Sequence, residues 1–187
     1  MKKIILASKS PRRKELLEKC GVSFMSDPAD IDETLNSSLS FEEAIKELSF
    51  RKAEAVLKRD EDAVVIGSDT IVTIDGKILG KPKDHSEAKR MLALLQGRTH
   101  RVITGICILS KNRCYQDVSV SEVTFTEMNE KEIETYISTG ECDDKAGAYG
   151  IQGFGGRYVK EIKGDFYAIM GFPLNKVYEE LKNISLY

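Results

Sequence analysis

The order of strand and helix patterns along these 187 residues predicts an α/β protein whose mixed central sheet is flanked by helices. Three observations carry that expectation. Short apolar runs at residues 4–7 and 63–67 have the look of strands buried on both faces. Helical apolar spacing with its own start signals recurs at residues 41–59, 84–97 and 129–140. Two long strand-like stretches, 99–110 and 114–126, face each other across a Lys111-Asn112 turn.

The composition bounds the class of protein. The length fits one ordinary domain, 1–187, with room for two lobes and a substantial core. Charged residues at 31% and hydrophobic ones at 41% describe a soluble globular chain rather than a disordered one. A formal net charge of -2 gives no bulk attraction to nucleic acid or to an anionic membrane, so neither is an expected partner. Cys20, Cys107, Cys114 and Cys142 are scattered without a Cys-x-x-Cys pair, and that spacing argues against zinc, thioredoxin-like and disulfide-framework readings. No apolar run approaches the ~20 residues that cross a bilayer, and no signal-peptide pattern opens the chain. A cytoplasmic protein is expected.

Taken in order, Ile4 to Ala7 reads as a buried strand and Ser8 to Ser10 as a tight loop. Ser10 is then an N-cap and Pro11 the first helical residue, with Leu16, Leu17 and Cys20 on the apolar face and Gly21 as the stop. Val22 to Ser26 reads as a second short strand. An acidic loop, Asp27 to Thr34, follows with four carboxylates. Ser40 and Glu43 make a capping box for a helix from Phe41 to about Arg59, with Ala44, Ile45, Leu48, Ala55 and Val56 as its apolar stripe. Ala63 to Gly67 is a buried strand expected to end in a Ser68-Asp69-Thr70 loop. A hairpin comes next, with Asp75-Gly76 as a type I′ turn and Lys81-Pro82-Lys83 as a rigid basic link. Asp84 and Glu87 open a helix stopped by Gly97, and Asn129 with Glu132 caps one that ends at Gly140. Tyr158 to Ile162 is a strand, and Pro173 starts a last helix to about Asn183.

The chemistry gathers at the carboxyl ends of the expected strands, where open α/β sheets place their functional loops. At residues 8–13 a helix N-terminus coincides with two hydroxyls and two arginines, a set that suits a polyphosphate. The plainer reading is that the serines cap and the arginines solvate a first turn. Against it, cations in the first turn oppose the helix dipole unless an anion is bound. Asp69, placed after a buried strand, has two readings on local sequence: a carboxylate that binds a divalent cation or activates water, or a turn residue bonding its own backbone. Glu33 and Asp69 would offer magnesium a partial oxygen shell, facing Arg12, Arg13, Lys52 and Lys81. His85 and His100 are expected at the surface. The segment from Asp143 to Gly156 holds five of the chain's 14 glycines and fits neither a Walker loop nor a dinucleotide fingerprint. An ordinary loop is the plainer reading; the favoured one bends the backbone close to a ligand, with Tyr149 and Gln152 offering a ring face and an amide.

Read together, Leu6-Ala7-Ser8-Lys9-Ser10-Pro11-Arg12-Arg13, the Glu33 loop, Gly67-Ser68-Asp69-Thr70, Gly80-Lys81-Pro82 and Asp144 to Gly153 resemble the Maf family of nucleoside triphosphate pyrophosphatases. The motifs occur in family order and span most of the chain. The resemblance implies two lobes around a deep cleft, a fold similar to that of the inosine triphosphate pyrophosphatases, and homodimers as a common state. It implies cleavage between the α and β phosphates with a divalent cation, Mg2+ or Mn2+. By match of position, Asp69 is the proton acceptor, and Ser8, Arg12, Arg13, Lys52 and Lys81 face the phosphates. Glu33 is the second acidic residue and, with Asp69, a metal ligand. Arg12, Thr70 and Gln152 match the dTTP/UTP branch rather than the one that takes N7-methyl-GTP. CTP and modified pyrimidine nucleotides are further candidates. A nucleotide-binding regulator of septum formation with little catalysis is the alternative, and sugar nucleotidyltransferases resemble the first loop but carry a Gly-x-Gly-x-Arg motif that is missing here.

Overall fold

A computed structural model describes residues 3–184 of the chain. Its elements run β1 (Ile4–Leu6), α1 (Pro11–Glu18), β2 (Met25–Ser26), α2 (Phe41–Leu57), β3 (Val64–Ile74), β4 (Lys77–Leu79), α3 (His85–Leu95), β5 (Thr99–Ser110), β6 (Arg113–Phe125), α4 (Glu130–Ile137), β7 (Val159–Lys163), α5 (Phe166–Ile169) and α6 (Leu174–Asn183). The seven strands form one mixed sheet in the order β2-β1-β3-β5-β6-β7, with β4 paired to β3. β1 lies parallel to β2 and β3, whereas β3/β4 and β6/β7 are antiparallel. The mixed α/β architecture expected from the sequence is the one the chain adopts.

Local chemistry explains most element starts. Ser10 sits in extended conformation and its Oγ accepts from the Arg13 N–H, while Pro11 occupies the first helical position of α1. Both halves of the capping box are formed at α2, where Glu43 N–H donates to Ser40 and Ser40 N–H to Glu43. Asn129 and Glu132 repeat the device at α4. Asp75 (φ 52°) and Gly76 (φ 69°) both take left-handed conformations, as a type I′ hairpin turn requires. Asp165 caps α5, a short helix that the sequence reading passed over.

The chain divides into two compact units. One takes in the chain through Asp69, Thr104–Ser119 and the chain from Gly171; the other is Thr70–Ile103 with Val120–Met170. The first has a core of Ile5, Ala7, Ala53, Val56, Val65 and Cys107, among others. The second is built around Leu92, Leu95, Phe125, Tyr136 and Tyr149.

Three expectations need correction. Ser68, Asp69 and Thr70 are not a loop: β3 runs unbroken for 11 residues through them. Strand-favouring side chains lie on both sides, and the Ser68 hydroxyl donates to the carbonyls of Gly105 (2.8 Å) and Gly171 (3.1 Å) instead of turning the chain. The second strand is only Met25–Ser26, against an expected start at Val22. In α2, Ala53 and Lys52 are buried, while Ala55 is half-buried.

Candidate active site

The first unit owes its site to two glycines. A methyl group at Gly67 would collide with the carbonyl oxygen of Ser49, and one at Gly105 would stand 2.5 Å from that of Ile45. Without those side chains, the backbone of α2 rests directly against β3 and β5. Ser49 sits at the contact, its hydroxyl donating back to Ile45 (2.8 Å). Three residues further along the helix, Lys52 is thereby carried into the protein, with its side chain only 7% exposed.

Buried ammonium groups need partners, and Lys52 has two. Its Nζ lies 2.9 Å from Asp69 Oδ1 and 2.9 Å from Glu33 Oε1. Arg13 approaches the same Asp69 oxygen at 3.6 Å. The Arg13 guanidinium is held by two further contacts, Nε to the Gly171 carbonyl (2.9 Å) and Nη1 to Ser8 Oγ (3.4 Å). Ser8 is buried, and its Oγ also accepts the Ser10 N–H (3.1 Å). Burial drives the Arg13 pKa below its ordinary value; the nearby Asp69 works against that shift, and Arg12 adds to it. Cationic residues thus crowd one helix N-terminus, where Asp69 and Glu33 offset only part of their charge. An anion is the ligand such a place favours.

Glu33 itself is exposed, yet its loop is anchored. Arg51, one residue before Lys52, donates from Nη1 to the Asp32 carbonyl (2.7 Å) and from Nη2 to that of Thr34 (2.8 Å). Asp32 accepts the Thr34 N–H (2.9 Å) and hydroxyl (2.6 Å), which pulls the Asp32 pKa down. Arg51 and Lys52 therefore grip the acidic loop from adjacent helix positions. Sequence reasoning passed over Arg51, because a charged helical residue ordinarily faces water. The capping box upstream sets the phase of α2, but the partners of Arg51 depend on how the distant loop folds back.

The first unit gathers Ser8, Arg12, Arg13, Glu33, Lys52 and Asp69, whereas Thr70, Lys81 and Gln152 belong to the second. There, Val72 pairs with Leu79, so the chain leaves the β3/β4 ladder toward Lys81 on the side of Thr70. Gly147, at φ 71°, packs on Val72 and donates its N–H to the Gly80 carbonyl (3.1 Å), next to Lys81. Thr70 is half-buried; Lys81 and Gln152 are exposed.

The glycine-rich segment differs from its expectation. Tyr149 is no ligand platform: it is 6% exposed, in edge contact with Phe125 and His100. His100 is likewise buried rather than at the surface, its Nε2 2.7 Å from the Tyr149 hydroxyl. Burial lowers the His100 pKa to about 4. At Gly153 the backbone makes room for a carboxylate. Glu141 accepts the N–H groups of Phe154 (3.0 Å) and Gly155 (2.9 Å), and a side chain at Gly153 would occupy the place of its Oε1. His85 opens α3 and is exposed as expected.

Comparison with known proteins identifies the family and the fold. A family model described as "Maf-like protein" matches residues 3–184. A dTTP/UTP pyrophosphatase of Bacillus cytotoxicus is 49% identical over 185 residues, covering 99% of this chain and 97% of the relative. One from Bacillus cereus is 47% identical over 186 residues, covering 100% and 92%. Among solved structures, the Staphylococcus aureus Ham1 protein superposes with a TM-score of 0.55 at 14% identity, covering 97% of this chain and 99% of its own, which is a likeness of fold. No helix among the described residues is long and apolar enough to cross a membrane.

Proposed function

The chain belongs to the Maf-like protein family, and from that premise we propose that it hydrolyses dTTP and UTP to the monophosphate and pyrophosphate, clearing nucleotide pools in the cytoplasm. The observation that carries the reading is the meeting of Arg13 and Lys52 on one oxygen of Asp69, beside the capped N-terminus of α1. Buried cations of this kind grip phosphate, and a carboxylate among them can take a proton from water.

In this reading Ser8, Arg12, Arg13, Lys52 and Lys81 bind the triphosphate. Arg13 and Lys52 exchange carboxylate for phosphate oxygens as it enters. Asp69, released from the two cations that meet on its Oδ1 in the free protein, orients a water and accepts its proton. The water oxygen bonds to the α-phosphorus, the bond from that phosphorus to the α–β bridging oxygen breaks, and pyrophosphate departs with the electron pair. Arg13 and Lys52 face the charge that develops on the phosphates.

Glu33 and Asp69 suit a divalent cation. Each places an oxygen 2.9 Å from the same Lys52 ammonium, so one positive centre already sits between them. Hard oxygen donors on that scale fit Mg2+ or Mn2+ with waters and phosphates completing the shell. Such an ion neutralises phosphate charge in the reacting complex. Arg12, Thr70 and Gln152 are the proposed determinants of base choice. The Gln152 amide can donate to a pyrimidine carbonyl and accept from the N3–H of uracil or thymine.

Two measurements test the proposal. Pyrophosphate and monophosphate release is followed across dTTP, UTP, CTP and N7-methyl-GTP with and without Mg2+; the two pyrimidine substrates are expected to lead. Asp69→Asn, folded by circular dichroism, is expected to lose ~10²–10⁴-fold in kcat. Preference for N7-methyl-GTP, or near-normal turnover in Asp69→Asn, overturns the corresponding assignment.

A further inference from the structure

A second cluster of potential ligands lies within the second unit, apart from the residues assigned above. His85 is the first residue of α3, and Cys142 and Asp143 follow the Gly140 turn after α4. His85 Nε2 is 3.3 Å from Asp143 Oδ1, and Cys142 Sγ is 3.3 Å from that same oxygen. The three ligand atoms all fall within 4.8 Å of one another.

These spacings can be compared with a metal's demands. Zinc binds histidine nitrogen and carboxylate oxygen at ~2.0–2.2 Å and thiolate at ~2.3 Å in a tetrahedron, which sets ligand-to-ligand edges at roughly 3.3–3.8 Å. Two of the three edges are already at that length, and the third needs to close by at most about 1 Å. Exposure is graded in the way an open site needs. Cys142 is fully buried and forms the floor, while the side chains of His85 (62% exposed) and Asp143 (59% exposed) leave solvent a path to the fourth position.

We propose that His85, Cys142 and Asp143 form a binding site for a borderline-soft divalent cation of the Zn2+ or Co2+ class, completed by one water. The donor set separates this cation from the one assigned to Glu33 and Asp69. Sulfur and imidazole nitrogen select Zn2+ or Co2+ and reject Mg2+, which keeps to all-oxygen shells. On binding, the Cys142 thiol gives its proton to solvent and the thiolate–metal bond replaces its hydrogen bond to Asp143. The bound ion ties the start of α3 to the turn after α4, so it stabilises the second unit by mass action. Sequence spacing concealed the site because its histidine and cysteine are 57 positions apart.

The test titrates Co2+ into the full-length protein in excess Mg2+, reading thiolate-to-cobalt charge transfer and the tetrahedral cobalt bands. One equivalent is expected to bind, to be displaced by Zn2+, and to bind equally in Asp69→Asn. Cys142→Ala is expected to abolish the charge-transfer band. Because that variant loses a buried side chain, His85→Gln, at an exposed position, supplies the independent arm and is expected to weaken Co2+ by at least about 10-fold. No thiolate–cobalt band in the wild type overturns the proposal. So does full-affinity binding in His85→Gln, or a band that persists in Cys142→Ala, which would assign it to another thiol such as exposed Cys114.

Discussion

At Gly67 and Gly105 the absent side chains let a helix rest on two strands; within the run from Gly147 to Gly156, Gly153 leaves the room that the carboxylate of Glu141 fills. Gly105 stands alone in its strand, and Gly67 enters the sequence reading only as the residue that precedes Ser68-Asp69-Thr70. The second set is the densest glycine run in the chain. Yet the isolated pair carries Lys52 to Asp69, whereas Gly153 of the dense run makes room for a supporting carboxylate. Glycine density therefore measures how tightly a backbone must bend, and it says little about where the chemistry is. What matters for the site is which helix the glycine admits and which side chain that helix carries.

The sharpest way to break this comparison is Gly67→Ala. The new methyl group meets backbone at Ser49 and Ala53, which cannot swing aside as a side chain would. Either α2 lifts from β3 or the strand shifts, and overpacking of this kind typically costs ~1–3 kcal/mol. Lifting α2 also withdraws Lys52 from Asp69. A displacement near 1 Å at a reacting group can cost ~10²-fold in rate. The expected outcome is a folded, destabilised protein with kcat down by roughly that factor. Wild-type turnover in Gly67→Ala would detach the glycine contact from the site.

Acid tests the other half. Tyr149 lies inside the glycine-rich segment and its hydroxyl meets His100 in the core. Among the described residues, buried His100 Nδ1 has no hydrogen-bond partner, so a second ring proton would find no acceptor there. The folded protein therefore holds the ring neutral, with its pKa lowered from 6.5 to about 4 by burial. Between those values the unfolded chain binds a proton that the folded chain does not. Stability is accordingly full above pH 6.5 and declines as the pH falls toward 4. The loss across that window approaches about 3 kcal/mol. Denaturant unfolding at pH 7, 5.5 and 4.5 measures it, and His100→Gln is expected to flatten the decline. An unchanged slope in that variant would show that Tyr149 and its segment are not anchored through this ring.

How much of this was legible before the structure depends on the range of the interactions. The start of α1 could be read because Ser10, Pro11 and Arg13 act within one helical turn, and capping chemistry is local. The capping boxes at α2 and α4 were legible for the same reason. Asp69 reads from the sequence as a candidate residue in a loop, since Ser-Asp-Thr resembles a turn until the neighbouring strands are known to continue the ladder. Lys52 could be named among the basic residues, but not its burial, which depends on two glycines 38 residues apart, on different strands. His100 was misplaced because its partner is 49 positions away. Arg51 was missed because its acceptors are backbone carbonyls, which no side-chain pattern reveals.

The smallest expected effect, and the one that decides between support and ligand cradle, belongs to Glu141. Its two oxygens each take one backbone N–H, from Phe154 and from Gly155, and Gly153 leaves the space for them. Glu141→Ala removes both acceptors at once. The Gly155 N–H is in a buried residue and loses its partner without ready access to water, while Phe154 is exposed and can turn to solvent. One stranded donor typically costs ~1–3 kcal/mol, and the exposed one adds little. The variant is therefore expected to unfold at lower denaturant by that amount, with faster amide hydrogen exchange at Phe154 and Gly155. Turnover of UTP at saturation, measured where the variant is fully folded, should stay near that of the wild type, because Asp69, Arg13 and Lys52 keep their contacts in the other unit. KM is the parameter open to change, since Gln152 sits in the loosened segment. A collapse of kcat comparable to that of Gly67→Ala, with stability intact, would reverse the comparison: the dense glycine run would then be shaping a reacting ligand, and Glu141 would be holding that shape for chemistry.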